Sequence, residues 1–209
     1  ASLERLADID ADGRLDLVVR AGDGGNCWTC GWVEALALGA GHPGDTPDRR
    51  HPGDTPVPGH RAEVLVPAER FQQLEDVDGD GVLEGIASDA RWEYYEGLCH
   101  ACSPRVERIH RLSKGQWVDA SAAFPAYYRK TIETLALQLE RLAAENSPDW
   151  DEYQFGALAS ILLNRLALGE TEAAWQAFDA RVARWRAGTD PEGQQRLDAL
   201  VAALRRDAR

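Results

Sequence analysis

The sequence has no methionine, and no apolar run approaches the roughly 18 residues that a membrane-spanning helix needs. Basic side chains are also short: 23 Lys and Arg stand against 35 Asp and Glu, for a formal net charge of −12. That deficit argues against nucleic acid, whose binding needs clustered Lys and Arg, and against anionic membrane surfaces. A nucleophile elbow, a Walker loop, a glycine-rich dinucleotide fingerprint and a His-Glu-x-x-His pair are all missing from the sequence. We therefore expect no enzyme and assign no catalytic residue. A length of 209 residues fits one or two domains. The chain opens at Ala1 with no leader-like stretch, so we expect a processed, exported product.

Carboxylate is what the sequence has in excess, and it is concentrated in one stretch written twice. The first copy is Asp8-Ile9-Asp10-Ala11-Asp12-Gly13-Arg14-Leu15-Asp16, and the second is Asp76-Val77-Asp78-Gly79-Asp80-Gly81-Val82-Leu83-Glu84. Each places acids at positions 1, 3, 5 and 9 and glycine at position 6. Four acids in nine residues repel one another, and a hard divalent cation reverses that sign. Calcium takes about six to eight oxygen ligands, from alternating side chains and a backbone carbonyl near position 7, here Arg14 or Val82. The glycine permits a reversal that a Cβ would obstruct. Magnesium keeps more of its water, so two calcium ions are expected, one per loop. Asp and Gly also form ordinary turns, but a turn alone does not call for the same nine-residue pattern twice, each time followed by apolar residues.

The residues after position 9 separate two loop families. An EF-hand carries glutamate at position 12 and continues into a helix. Here position 12 is Val19 or Ala87, and Leu17-Val18-Val19 and Gly85-Ile86-Ala87 read as strands. The pattern resembles the FG-GAP/VCBS repeats of extracytoplasmic proteins, Asp-x-Asp-x-Asp-Gly-x-x-Asp followed by a short apolar strand. Asp8, Asp10, Asp12 and Asp16 match it, as do Asp76, Asp78 and Asp80, with Glu84 in place of the last aspartate. The resemblance covers about the first 110 residues. It implies a calcium-stapled β module of the kind found in adhesins and integrin-like propellers. A closed propeller has about four to eight blades, and two loops therefore imply a partial, propeller-like module.

Strands are expected at 14–20, 32–38 and 61–66, at 71–75 leading into the second loop, and at 82–87, 91–96, 105–112 and 116–119, as an antiparallel meander. Residues 39–60 change character: His42-Pro43-Gly44-Asp45-Thr46-Pro47 recurs as His51-Pro52-Gly53-Asp54-Thr55-Pro56. Such a composition builds no packed core and reads as a flexible insertion. Its histidines, with His60, read as bystanders more readily than as metal ligands. Arg91-Trp92-Glu93-Tyr94-Tyr95-Glu96 reads as an aromatic strand, either packed across the sheet or lining a groove.

From Phe124 the apolar period changes from 2 to 3.6. Ile132, Leu135, Leu139 and Leu142 form one helical stripe. Ser147-Pro148 reads as a cap for a helix carrying Phe155, Leu158, Leu162 and Leu166 and stopping at Gly169. Thr171 reads as the cap of the next, with Trp175, Phe178, Val182 and Trp185, ending at Gly188. Asp190-Pro191 starts a last one with Leu197, Leu200, Val201 and Leu204. The 155–186 pair resembles a single tetratricopeptide-type hairpin, and Trp150, Trp175 and Trp185 read as packing anchors. The expected architecture is α+β: a β-rich module over 1–123 and a small helical bundle over 124–209.

Two Cys-x-x-Cys pairs, Cys27/Cys30 and Cys99/Cys102, follow the two loops. Three chemistries fit: disulfides within or between the pairs, a four-cysteine zinc site, or thiol–disulfide catalysis needing a low-pKa thiolate. Export favours disulfides, and His100 within the second pair reads as a bystander. The expected function is a calcium-binding extracytoplasmic structural and protein-interaction module, stapled by disulfides, whose helical part docks a partner or a second copy. A thiol oxidoreductase, a hydrolase or a zinc module are the alternatives.

Overall fold

The computed structural model describes residues 1–9, 13, 15–25, 30–37, 63–65, 70–113, 116–146 and 150–208. Eight strands come first: β1 (Ser2–Ala7), β2 (Asp16–Gly22), β3 (Gly31–Ala37), β4 (Glu63–Leu65), β5 (Phe71–Glu75), β6 (Glu84–Ser88), β7 (Glu107–Ser113) and β8 (Gln116–Asp119). Four helices follow: α1 (Pro125–Asn146), α2 (Glu152–Ala167), α3 (Thr171–Gly188) and α4 (Pro191–Asp207). Neighbouring strands pair antiparallel in the order β1-β2-β3-β5-β6-β7-β8, with β4 pairing β3 beside this path. The class is α+β, strands before helices.

The sheet is one design used twice. β1 to β4 form the first unit and β5 to β8 the second, joined through the single Val33–Phe71 pair. An offset of 68 residues, the spacing of Asp8 and Asp76, overlays their first hairpins. Leu6–Leu17 corresponds to Leu74–Gly85, Arg5–Val18 to Gln73–Ile86, and Leu3–Val19 to Phe71–Ala87. Even the irregularity recurs, between Leu3 and Arg5 and between Phe71 and Gln73. Third strands correspond likewise, Leu36 opposite Leu17 as His110 is opposite Gly85.

Two strand expectations need correction. β1 was not expected: Leu3 and Leu6 are three apart, a helical spacing, because the bulge at Glu4 resets the alternation and returns both to one face. The strand over 91–96 does not exist. Short 3-10 turns occupy Ala90–Trp92, Tyr95–Gly97 and His100–Cys102. Trp92, Tyr95 and Leu98 are all buried, a spacing of three that suits a 3-10 repeat and not a strand. Tyr94 and Glu96 have φ of 50° and 48°, which strand pairing cannot accommodate. The segment still lines a hollow: Asp89, Arg91 and Trp92 border a cavity of about 580 Å³.

One core lies between the units. Val18, Val33 and Ala35 of the first pack with Phe71, Leu74 and Ala87 of the second, joined by Ile9 and Leu83 from the two loops. Each of the larger of these side chains contributes about 1.5–3 kcal/mol when fully buried. Phe71 lies across Gly85, where a Cβ would sit 2.4 Å from its ring. The second unit's opposite face is closed by Ile109 against Phe124 and Tyr128 at the start of α1.

The last three helices bury most of the stripes expected of them, while in α1 Ile132 and Leu135 are only half-buried. Phe155, Leu158, Leu162, Phe178, Val182, Trp185, Leu197, Leu200 and Leu204 share one core with Trp92, Tyr95 and Leu98. In α1, Leu139 is buried and Leu142 packs beside it, while Trp150 and Trp175 lie at the margin of that core. Asp190 caps α4 ahead of Pro191. The cap of α2 is Asp151, which accepts from the Gln154 N–H, and not Ser147, which with Pro148 lies outside the described residues. Thr171 is the first residue of α3, one place after its cap Glu170. Gly156 lets α2 approach the chain at Cys102, whose carbonyl oxygen would be 2.0 Å from a Cβ.

Candidate functional site

Both acidic loops connect the first two strands of their unit, which places position 9 at the first residue of β2 and of β6. These position-9 acids are buried, Asp16 at 2% and Glu84 at 0% exposure. Burial of a carboxylate is costly unless it is paired. Each accepts the position-2 N–H across the base of its loop: Ile9 N to Asp16 Oδ2 at 2.9 Å and Val77 N to Glu84 Oε2 at 3.0 Å. Position 1 closes the loop from the other side. Asp8 Oδ2 accepts from Gly13 N at 2.9 Å and Asp76 Oδ2 from Gly81 N at 3.0 Å. The position-6 glycines sit at φ of 84° and 88°, where an L side chain is strained. In the first loop Asp10, Ala11, Asp12 and Arg14 lie outside the described residues.

The second loop is described throughout. Asp76, Asp78 and Glu84 each bring a carboxylate oxygen to within 4.8 Å of the others. Two oxygens bound at about 2.4 Å to one calcium are at most about 4.8 Å apart, so the spacing fits a shared ion. Asp76 Oδ1 accepts from Gly79 N at 2.7 Å, Asp78 Oδ1 from Asp80 N at 3.3 Å, and Asp80 Oδ1 from Val82 N at 2.8 Å.

A cation of the protein's own reaches this cluster. Arg111 of β7 donates Nε to Glu84 Oε1 at 2.8 Å, and its Nη2 to Asp78 Oδ2 at 2.6 Å and Asp80 Oδ2 at 3.0 Å. Its guanidinium also lies 4.8 Å from the centre of the Phe124 ring. The hydrogen bond that Arg111 donates to Glu84, with the charges of Glu84, Asp78 and Asp80 and against a smaller effect of burial, holds Arg111 above the usual arginine range. The sequence reading missed this residue because the contact spans 27 to 33 positions. Its one signal was the alternation of residues 105–112, which marks a strand but not the neighbour it faces.

Cys99 and Cys102 are bonded to each other. Paired in this way, neither of the two bridges to the other Cys-x-x-Cys pair. Cys30 is disulfide-bonded as well, while Cys27 lies outside the described residues, as do His42, His51 and His60. His100 lies against Tyr94 with ring centres 5.7 Å apart and planes tilted by 45°.

A cavity of about 520 Å³ opens between the second unit and α1, lined in part by Glu75, Arg105, Glu107, Tyr127, Lys130 and Asn164. Two of its charges meet each other: Glu107 pairs with Arg105 and accepts from the Tyr127 hydroxyl. Burial, then the Glu107 charge, pushes the Tyr127 hydroxyl far above its usual range, which makes it a hydrogen-bond donor and not a base. Among the described residues no helix is long and apolar enough to cross a membrane. No family model, curated protein or solved structure matches the chain.

Proposed function

We propose that the chain is a calcium-binding structural and protein-interaction module, in which each acidic loop holds one ion and thereby fixes the turn between the first two strands of its unit. The observation that carries this reading is the convergence of Asp76, Asp78 and Glu84 oxygens within 4.8 Å. Asp80 and the Val82 carbonyl complete the donor set that the loop sequence suggests; by sequence its counterpart is Asp8, Asp10, Asp12 and Asp16 with the Arg14 carbonyl. The set is all oxygen, which suits calcium and disfavours soft metals. A bound ion supplies charge neutralisation. The residues supply position: Glu84 and Asp16 pin the loop base, and the glycines turn the backbone so that alternate carboxylates face inward.

The same reading places the protein outside the cytosol. Disulfides persist in oxidising compartments, and extracellular loops work at about 10⁻⁴–10⁻³ M calcium. Calorimetric titration of chelator-treated protein tests it, with elemental analysis in parallel. We expect two calcium ions per chain, reduced to one by Asp76→Asn with Asp78→Asn, and a thermal midpoint that rises with calcium. An unchanged midpoint and no bound calcium at 5 mM, above about 10⁻³ M, would sink the proposal.

A further inference from the structure

The two units pack head to tail. The first offers Val18, Val33 and Ala35, and the second covers them with Phe71, Leu74 and Ala87. In the first unit the positions corresponding to Phe71, Leu74 and Ala87 are Leu3, Leu6 and Val19. All three are apolar, yet none belongs to a core cluster of described residues. Leu3 is 61% and Leu6 51% exposed, against 2% for Phe71 and 4% for Leu74. Leu17 lies on the same face, opposite Leu6, where the second unit has Gly85 beneath the Phe71 ring. Where one unit has a phenylalanine over a glycine the other has two leucines, so the uncovered face carries at least as much apolar bulk as the covered one. A solvated face has no use for that bulk, whereas an interface does.

We propose that the face of Leu3, Leu6, Leu17 and Val19 is a docking surface for one further unit of this same repeat, in tandem ahead of β1. The occupant's chemistry is read from the internal interface. It is a four-stranded aspartate-loop meander presenting a flat patch of small and β-branched residues, as Val18, Val33 and Ala35 do. Its arginines would reach the backbone of β1. In the internal interface Arg5 donates to the Leu74 carbonyl and Arg20 Nη1 to the Gln72 carbonyl at 3.5 Å. A second copy of this chain cannot repeat that head-to-tail contact, since its own patch is covered by its second unit and the equivalent Ile109 face by Phe124 and Tyr128; only pairing of two Leu3 and Leu6 faces is left to it. The inference deepens the interaction-module reading by naming the partner, and rests on its repeat units, not on calcium.

The test places an extra copy of residues 1–69 directly ahead of Ser2 of the full chain, which reproduces the spacing between the two existing units. Radical footprinting of the resident Leu6 is expected to fall about tenfold, from the level of a residue 51% exposed to that of Leu74 at 4%. Leu6→Glu is expected to leave the parent chain's stability and fold unchanged, yet to abolish the protection in the tandem chain. Unaltered labelling in the tandem chain overturns the proposal. So does a parent chain that sediments as a dimer and becomes monomeric on Leu6→Glu, which would make a second copy the occupant. Calcium titration of the same samples is scored separately, so loss of ion binding with protection intact overturns only the calcium reading.

Discussion

The two units share strand register, bulge and loop closure, and differ in what surrounds them. In the second, Arg111 stands opposite Glu84 by register and pairs with three of its loop's four acids; the corresponding place in the first holds Ala37. Ser88 to Glu107 is crossed by 3-10 turns, a disulfide and a buried Trp92, Tyr95 and Leu98 set that joins the helical core. The first unit crosses from Gly22 to Gly31 in a few residues. The repeated residues thus fix the local backbone, and the unrepeated ones decide what each unit packs against. Local hydrogen bonds such as Ile9 N to Asp16 recur because they need only the nine-residue pattern, whereas Arg111 and the crossing depend on partners far along the chain.

The largest expected effect comes from detaching the second unit's cover. Gly156→Ala drives a Cβ toward the Cys102 carbonyl, 2.0 Å away, and neither backbone has room to give. We expect a loss of about 3 kcal/mol, at the upper end for overpacking, read from urea denaturation. A loss below 0.5 kcal/mol, the range of an ordinary surface substitution, would mean that α2 is not seated on the crossing segment. The first unit has no such anchor among its described residues, so an equivalent break there is not available.

The next effect tests whether the units are versions of one packing solution. Gly85→Ala alone pushes against the Phe71 ring and should cost about 2 kcal/mol. Adding Phe71→Leu moves the pair toward the Leu3 and Leu17 of the first unit and should recover about half of that, a coupling within the usual range for residues in contact. Strictly additive losses would show that the correspondence of the two faces is one of register only.

Much of this was legible in the residues. The double loop, its strands and the later three helix stripes follow from position-6 glycine, period-2 and period-3.6 patterns. β1 hid because its bulge imitates helical spacing. The 91–96 segment misled because aromatic and charged residues alternate there in type, while their true repeat of three becomes visible only through the burial of Trp92, Tyr95 and Leu98. Arg111 was invisible for a different reason: the charges it joins come from a loop and a strand in another part of the chain, and no local pattern encodes that meeting.

Arg111→Ala makes the second unit resemble the first at its most divergent point. Without calcium, Glu84 Oε1 loses the charged donor that Arg111 supplies, so stability should fall by about 1.5 kcal/mol, the low end for a hydrogen bond to a charged group. With calcium the sign reverses at the second loop, because a fixed positive charge no longer opposes the ion. Affinity there should tighten about tenfold, the size expected of one partly screened unit charge nearby. Calorimetry on the Asp8→Asn, Asp16→Asn background isolates that loop. Weaker calcium binding in Arg111→Ala would instead make the guanidinium a support for the ion-bound loop.

The smallest effect concerns acid. Asp89 follows β6 where the first unit has Ala21, and it pairs with Arg91 at 2.6 Å and Arg108 at 3.1 Å. Burial by itself would raise its pKa, but hydrogen bonds from the Arg91 side chain and backbone, with the charges of Arg91 and Arg108, outweigh burial and hold the carboxyl below its usual range. A depressed folded value means that its contribution is complete above the unfolded value of about 3.9 and is lost as pH falls through the folded one. Asp119, lowered through Ser121, His110 and Arg108 against its own burial, adds to the same limb. Asp89→Asn should therefore flatten, without abolishing, the decline in stability below about pH 4 and leave its slope near neutrality unchanged. An acid limb as steep as that of the parent would show that the pair holds its geometry without contributing to the second unit's stability.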